Sequence, residues 1–283
     1  MKDKPTVGII GLGLMGGSFG RTLVKKGYRV LAFDVKSEVM LKGELMSAFT
    51  EPLTAKNAKF ADILVVSVAP ERFSDAVTPF LPFLKKGAVV TDFCGVKRTV
   101  TKKMREFSER YENLCFIGGH PMAGREFSGI EHSSVNLFDK ASMILVPVRA
   151  DIFQVEAVKN FFLSVGFARV VLTTAEYHDE VIAYTSQLCH IVSNAFIKNA
   201  SAEKRSGYSA GSFKDLTRVA RMDAELWTEL IFCNRDNALR ELDELILNLN
   251  SYRAAIEDGD RERLKRLFKD GSDRKIKIES ETR

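Results

Sequence analysis

The sequence predicts an α/β fold: a doubly wound, mostly parallel sheet followed by an all-helical domain. Three observations predict it. A short β-branched run at residues 6–10 leads at once into a glycine-rich turn and a helix. Strand-like runs then alternate with helical segments as far as residue 172. Beyond that point no strand-like alternation remains, and the periodicity is helical. The expected division is a nucleotide-binding domain over 1–172 and a helical domain over 173–283.

The turn reads Gly11-Leu12-Gly13-Leu14-Met15-Gly16. A helix is predicted over 18–26, ending at Gly27, then a strand over 28–33 closed by Asp34, 18 residues beyond Gly16. Strand, glycine turn, helix, strand, acid is the order of a Rossmann-type dinucleotide unit. Gly11 makes the tight turn, Gly13 admits a pyrophosphate, and Gly16 lets the helix pack on the strand. Leu14 and Met15, within the turn, are candidate cofactor contacts, and the helix N-terminus offers free N–H groups to phosphate. Asp34 can accept from the adenine ribose hydroxyls, which favours NAD over NADP. The plainer alternative is a glycine turn that serves packing alone.

Further strands are predicted at 63–68, 88–91, 114–117, 142–146 and 169–172, with helices at 73–83, 99–111 and 152–165. Ligands in such sheets sit beyond the carboxyl ends of the strands. Ser67, Val68 and Ala69, the Cys94-Gly95 turn and His120 all fall there and are expected to line one crevice.

Residues 118–129 read Gly-Gly-His-Pro-Met-Ala-Gly-Arg-Glu-Phe-Ser-Gly. His120, Arg125, Glu126 and Ser128 stand among four glycines and a proline. Glycine lets backbone approach a ligand, and Pro121 stiffens the chain after the histidine. A histidine held there is a candidate acid–base group, because its pKa lies near neutrality. A surface turn with a chance histidine is the alternative.

In the helical half, residues 175–200 read as one helix. Asp179, Ala183, Ser186, Gln187, His190, Ser193 and Asn194 share a stripe on it. Small residues, amides and a histidine suit a buried site or a packed interface better than a solvated face, so His190 is a candidate site residue. His178 and His132 read as ordinary polar positions. A loop follows at 201–212, then a short helix at 213–221 carrying Lys214 and Arg218. Asp223 is a candidate N-cap for a long helix reaching 257 and ending near Gly259. The extreme C-terminus reads as a mobile tail. Arginine pairs bidentately with carboxylate, so Lys214, Arg218 and Arg221 are candidates for holding an anionic substrate; a solvated helix face is the alternative. The apolar helices after Asp223 exceed what one thin layer can cover, which predicts a homodimer.

Composition narrows the function classes. The chain has 283 residues, 45% apolar, with a net charge of +5. No apolar run nears the ~20 residues of a membrane span, and no signal peptide precedes the first strand. Cys94, Cys115, Cys189 and Cys233 form no C-x-x-C pair, which argues against a zinc ribbon or disulfide framework and fits a reducing cytoplasm. No metal site is expected. No basic–aromatic interleaving points to nucleic acid. Cys94 and Ser128 lie in no recognisable nucleophile motif.

Taken together, these residues resemble the prephenate/arogenate dehydrogenase family of tyrosine biosynthesis. The resemblance spans nearly the whole chain. It rests on Gly11 to Gly16, Asp92 to Lys97, Gly119-His120-Pro121-Met122-Ala123-Gly124 with Glu126 and Gly129, Ser186 to His190, and Phe213-Lys214-Asp215-Leu216-Thr217-Arg218 through Leu226-Trp227. It implies a Rossmann domain followed by a helical dimerisation domain. It also implies NAD-linked oxidative decarboxylation of prephenate to 4-hydroxyphenylpyruvate, or of arogenate to tyrosine. In that reading His120 accepts the hydrogen bond of the ring hydroxyl and Arg218 binds a substrate carboxylate. His190 and Glu126 border the substrate.

The chain departs from the family at two positions. Gly95 stands where a serine commonly orients the catalytic histidine, so His120 is expected to lack one partner. Arg125 stands where a small or hydroxylic residue is frequent, and it adds a cation. A chain this short is expected to be monofunctional, with any tyrosine feedback acting at the active site. Two rivals remain: a β-hydroxyacid dehydrogenase relative, which needs a catalytic lysine on the first long helix of the second half, and a non-catalytic NAD-binding relative.

Overall fold

The structure, a computed structural model, describes residues 4–281. These form two compact units, one ending at Arg235 and one beginning at Asp236. The first contains the sheet. Its strands are β1 (Val7–Ile10), β2 (Val30–Phe33), β3 (Glu51–Pro52), β4 (Ile63–Val66), β5 (Val89–Asp92), β6 (Cys115–Pro121), β7 (Ser142–Arg149) and β8 (Arg169–Leu172). Their spatial order is β3-β2-β1-β4-β5-β6-β7-β8. All neighbours are parallel except β6 and β7. The order reverses at β1/β4, so a crevice opens beyond their carboxyl ends.

Alternate side chains feed two cores. Val7, Ile9, Val65 and Ile117 face an aromatic cluster built from Phe19, Phe93, Phe138, Phe161 and Phe162. Ile10, Leu64, Val66, Val90 and Phe116 face the other side, against Phe73, Phe80, Val100 and Met104. Strands buried on both faces read as the continuous apolar runs seen in the sequence. The helices that cover them are α1 (Leu14–Lys25), α2 (Ser37–Leu45), α3 (Phe73–Val77), α4 (Arg98–Arg110) and α5 (Ile152–Val165). Asp151 caps α5 in a full capping box with Gln154.

Several predicted elements differ in extent. The helix expected at 73–83 shortens to α3 between two 3-10 turns, because Pro79 and Pro82 interrupt it. The helix expected at 175–200 is helical from Ala175 but not uniform. It runs as α6 (Ala175–Ile182), a π-helical turn (Ala183–Leu188) and α7 (Cys189–Ile197). Next come α8 (Gly211–Thr217) and α9 (Ala224–Phe232), the latter capped by Asp223 through the Leu226 amide at 3.0 Å. The long helix expected from Asp223 to 257 is broken at Cys233-Asn234, and α10 (Arg235–Glu257) starts afresh. Its end at Gly259 takes the left-handed φ of +67° that glycine permits. The chain continues as a helix, α11 (Arg261–Glu281), laced by i,i+4 ion pairs such as Lys269–Asp273, and the last two residues of the tail expected to be mobile lie outside the described residues.

Candidate active site

The glycine turn is built around two clashes and one open space. Gly11 has φ +88°, and a Cβ there would lie 2.4 Å from the Ser67 carbonyl oxygen. A Cβ on Gly16 would lie 1.9 Å from the Gly11 carbonyl oxygen. Gly11 therefore packs against the segment after β4, and Gly16 packs the start of α1 onto the end of β1. A Cβ on Gly13 would meet nothing within 4 Å. Gly13 is also the N-cap of α1 and has no side-chain cap. An open face before unsatisfied helix N–H groups fits a pyrophosphate. Asp34 ends β2 with one carboxylate oxygen accepting from the Leu12 amide (2.9 Å) and the other from Lys36 (2.9 Å). Its carboxylate is thus fixed beside the turn, where a ribose would lie.

A cavity of about 890 Å³ runs from this turn to the helices after β8. Of the residues singled out in the sequence, Gly13, Leu14, Met15, Ser67, Val68, Ala69, Gly95, His120, Arg125, Glu126, His190 and Arg218 line it. Gly11, Gly16 and Asp34 stand behind its wall. Lys214 lies exposed on α8 and is absent from the lining. Arg221 does line it, with its guanidinium 5.2 Å from the Phe127 ring.

His120 sits near the end of β6, which extends further than predicted, rather than in a free loop. Its strand is braced from below. Buried Asp92 accepts from the Gly119 amide (2.9 Å) and the Cys94 amide (2.8 Å), and pairs with the fully buried Lys97 ammonium. Lys97 also donates to the Gly119 carbonyl. An ion pair with no exposure is held only where hydrogen bonds satisfy both partners, as here.

The serine replaced by Gly95 is missing as expected, but His120 has a different orienting partner. His120 Nδ1 lies 2.8 Å from Nε2 of His178, whose Nδ1 lies 2.7 Å from Asp179 Oδ1. His178 is therefore no ordinary polar position: it is buried, and it joins β6 to α6. Asp179 is fully buried and also accepts from the Lys97 amide (2.7 Å), the Arg98 amide (2.9 Å) and Arg98 Nε (3.3 Å). It thus serves the N-terminus of α4 from another element. The signal in the sequence was the His-Asp pair at the start of the first helix, where two adjacent polar residues are both buried.

Charge fixes the tautomers. Burial raises the Asp179 carboxyl, but the bonds from His178, Arg98 and Lys97 outweigh it and hold it low. A carboxylate only accepts, so His178 Nδ1 carries a proton. Burial keeps His178 neutral against the opposing pull of Asp179. Its Nε2 is then a bare acceptor, and His120 Nδ1 must donate to it. That leaves His120 Nε2 with a free lone pair. Burial, then His178, then Lys97 push the His120 pKa well below its usual value. The arrangement is a neutral base at a strand end, beside the glycine-turn crevice.

The opposite wall carries His190, on α7. Its Nδ1 donates to the Ser186 carbonyl (2.9 Å), and its ring stacks on Trp227 at 3.6 Å. Burial lowers its pKa. Arg218 Nη1 lies 2.6 Å from Glu126 Oε1. A backbone hydrogen bond, then Arg218, hold Glu126 low. Gly95 faces Leu230, which a Cβ would approach to 3.3 Å. Lys198, the one lysine on the 175–200 helix, is exposed and outside the cavity lining, where a β-hydroxyacid dehydrogenase base would need to be inside.

A Rossmann sheet, a glycine turn open to pyrophosphate and a neutral histidine aimed into the same cavity define a dinucleotide-dependent dehydrogenase. The nucleotide-binding domain model of prephenate dehydrogenase matches residues 19–172, and the dimerization domain model of that enzyme matches residues 174–270. The chain belongs to the prephenate dehydrogenase family. Cyclohexadienyl dehydrogenase of Zymomonas mobilis is 30% identical over 97% of this chain and 96% of its own. Prephenate dehydrogenase of Bacillus subtilis is 27% identical over 95% of this chain and 75% of its own. A solved structure of prephenate dehydrogenase from Aquifex aeolicus, in complex with hydroxyphenyl propionate and NAD+, superposes with a TM-score of 0.83 at 26% identity. It covers 98% of this chain and 99% of that one.

Proposed function

We propose that the protein catalyses the NAD-dependent oxidative decarboxylation of prephenate to 4-hydroxyphenylpyruvate, a step of tyrosine biosynthesis. The observation that carries this reading is the bare Nε2 of His120, presented to the cavity by a fixed tautomer. NAD, when bound, supplies the hydride acceptor. Gly13 and the first turn of α1 would hold its pyrophosphate, and Asp34 its adenine ribose.

His120 takes the proton of the ring hydroxyl as the hydride departs from the same carbon. Loss of both leaves a dienone; departure of the ring carboxylate as carbon dioxide leaves its electron pair in the ring as a phenolate, and the His120 imidazolium returns the proton to that oxygen to give the phenol. His178 stabilises the resulting imidazolium through the Nδ1 bond, with Asp179 behind it. A positioned base of this kind contributes roughly 10²–10⁴ in rate. Arg218 receives a substrate carboxylate and Glu126 steadies its guanidinium. His190 and Arg125 border the substrate, and Lys214 stands outside this set. Leu14, Met15, Ser67, Val68, Ala69 and Gly95 line the cavity around the glycine turn, where they would contact the cofactor.

The same proposal makes the protein a cytoplasmic homodimer, with the nucleotide-binding half ending near residue 172. All four cysteines are free, which supports a reducing compartment. Among the described residues, no helix is long and apolar enough to cross a membrane. Leu239, Ile246, Leu247, Leu249 and Ile256 on α10 are exposed, which supports pairing of that helix with a second copy.

The test is NADH absorbance with NAD and prephenate, then with NAD and arogenate. Prephenate should give one NADH per carbon dioxide released. Arogenate turned over in its place moves the assignment to arogenate dehydrogenase. Reduction with neither substrate, in a protein that binds NAD, would make it a non-catalytic relative.

A further inference from the structure

Asn234 occupies the two-residue turn between α9 and α10 and is completely buried. Its side-chain bonds leave no ambiguity about its orientation. Arg98 Nη2 donates to Oδ1 at 2.8 Å. Nδ2 donates to the Asp179 carbonyl at 2.7 Å and to Gln187 Oε1 at 2.9 Å. A guanidinium can only donate and a carbonyl can only accept, so the amide cannot be flipped. Gln187, on the π-helical turn, donates in turn to the Leu230 carbonyl at 2.9 Å. Asn234 therefore bonds α4 through Arg98, α6 through Asp179 and the π turn through Gln187.

Two of those three bonds converge on Asp179. One fixes its backbone directly. The other holds Arg98, whose amide and Nε both donate to Asp179 Oδ2. With its backbone and Oδ2 fixed, Asp179 presents Oδ1 to His178 in one direction. That bond sets the proton on His178 Nδ1, and hence the proton on His120 Nδ1. We propose that Asn234 is a positioning residue for the base: by holding Asp179 and Arg98 in register, it enforces the tautomer that leaves His120 Nε2 free. The catalytic consequence rests on the function proposed above; the tautomer itself does not.

The test is Asn234→Ala, read by activity and by ¹⁵N spectra of the imidazoles in uniformly labelled protein. The chain has four histidines, so the spectra resolve. In the unaltered protein His120 and His178 should both show protonated Nδ1. In Asn234→Ala, His178 should populate both tautomers. kcat should fall about tenfold, the size of a charged hydrogen-bond contribution of ~1.5 kcal/mol, with KM for NAD and substrate within twofold. The acidic limb of kcat should move to lower pH, because Asp179 is the group that raises the pair's affinity for protons. The other charges facing the pair, Lys97, Asp92 and Arg98, remain.

Asn234→Ser, which leaves a hydroxyl able to donate to one carbonyl, is measured as well. It covers the case in which the alanine variant melts below the assay temperature, and its effects should be intermediate. Unchanged tautomers and an unchanged acidic limb in either folded variant would overturn the proposal. The spectra do not depend on turnover, so they decide it even for a protein inactive with both substrates.

Discussion

His178 Nε2 accepts from His120 Nδ1 across 2.8 Å, and this bond joins the last turn of a sheet strand to the first helix of the helical half. The tautomer of the proposed base is thereby set by a residue 58 positions later in the chain. His120→Asn should lower kcat by about 10²–10⁴ while KM changes less. His178→Phe should keep the base but free its tautomer, lowering kcat by about tenfold or more. Steady-state kinetics on both variants check this, and a His178→Phe enzyme with full kcat would show the bond to be structural only.

The pH dependence follows from the same pair. His120 and His178 both have pKa values below the ordinary ~6.5 of an unfolded histidine. Both are neutral in the folded protein when the unfolded chain has begun to take up protons. Stability is therefore intact above ~6.5, falls as pH drops below it, and keeps falling until the folded histidines themselves protonate. Melting temperature measured from pH 8 to 5 should decline below ~6.5, and less steeply in His120→Asn. The acidic limb of kcat should likewise lie below the usual histidine range. A limb at or above it would mean that His120 is not the base.

The glycine turn separates stability from binding. Gly13→Ala adds a methyl group in open space, so the melting temperature should hold while NAD affinity falls at least tenfold. Gly16→Ala forces a Cβ onto the Gly11 carbonyl and should cost about 1–3 kcal/mol of stability. Thermal melts paired with NAD titration distinguish the two. A Gly13→Ala protein that binds NAD normally would move the pyrophosphate elsewhere.

Asp34 is held by two amides in a position that suits a ribose diol and repels a 2′-phosphate. A like-charge encounter of ~2 kcal/mol corresponds to about 30-fold in kcat/KM between NAD and NADP. Lys36, one bond away, moderates the preference. Equal efficiencies would show that Asp34 does not hold the ribose.

Arg218 is 66% exposed and already paired with Glu126, so its removal should cost the lower end of the usual range for a charged pair. Arg218→Ala should raise KM by about 30-fold (~2 kcal/mol) with NAD affinity nearly unchanged. An unchanged KM would point to Arg221 or Arg125, which line the same cavity.

The sheet, the glycine turn and the crevice-lining strand ends were legible because each rests on local signals: β-branched runs, glycine spacing, a terminal acid. The extent of α5 was read to the residue, since a capping box and Gly166 bound it. His120, His190 and Arg218 were legible from their settings. His178, Lys97 and Asn234 were not read as parts of the site, and Asp179 was read only as one position of a polar stripe. Their roles depend on contacts across as many as 136 residues, which no periodicity encodes. Gly95 was misleading for the same reason: an absent serine says nothing about a partner arriving from another element. The break at Cys233-Asn234 was invisible because neither residue is a strong helix breaker.

The π-helical turn at Ala183–Leu188 changes the phase of the rod that carries it. His178 and His190 are 12 residues apart, which in a regular helix places them about 120° apart in azimuth. A π turn takes up about one residue, and the difference falls to about 20°. One continuous rod therefore turns both imidazoles to the same side, the first to His120 and the second into the cavity that His120 also lines. The bulge acts as an angular correction, without which the two histidines would look in different directions.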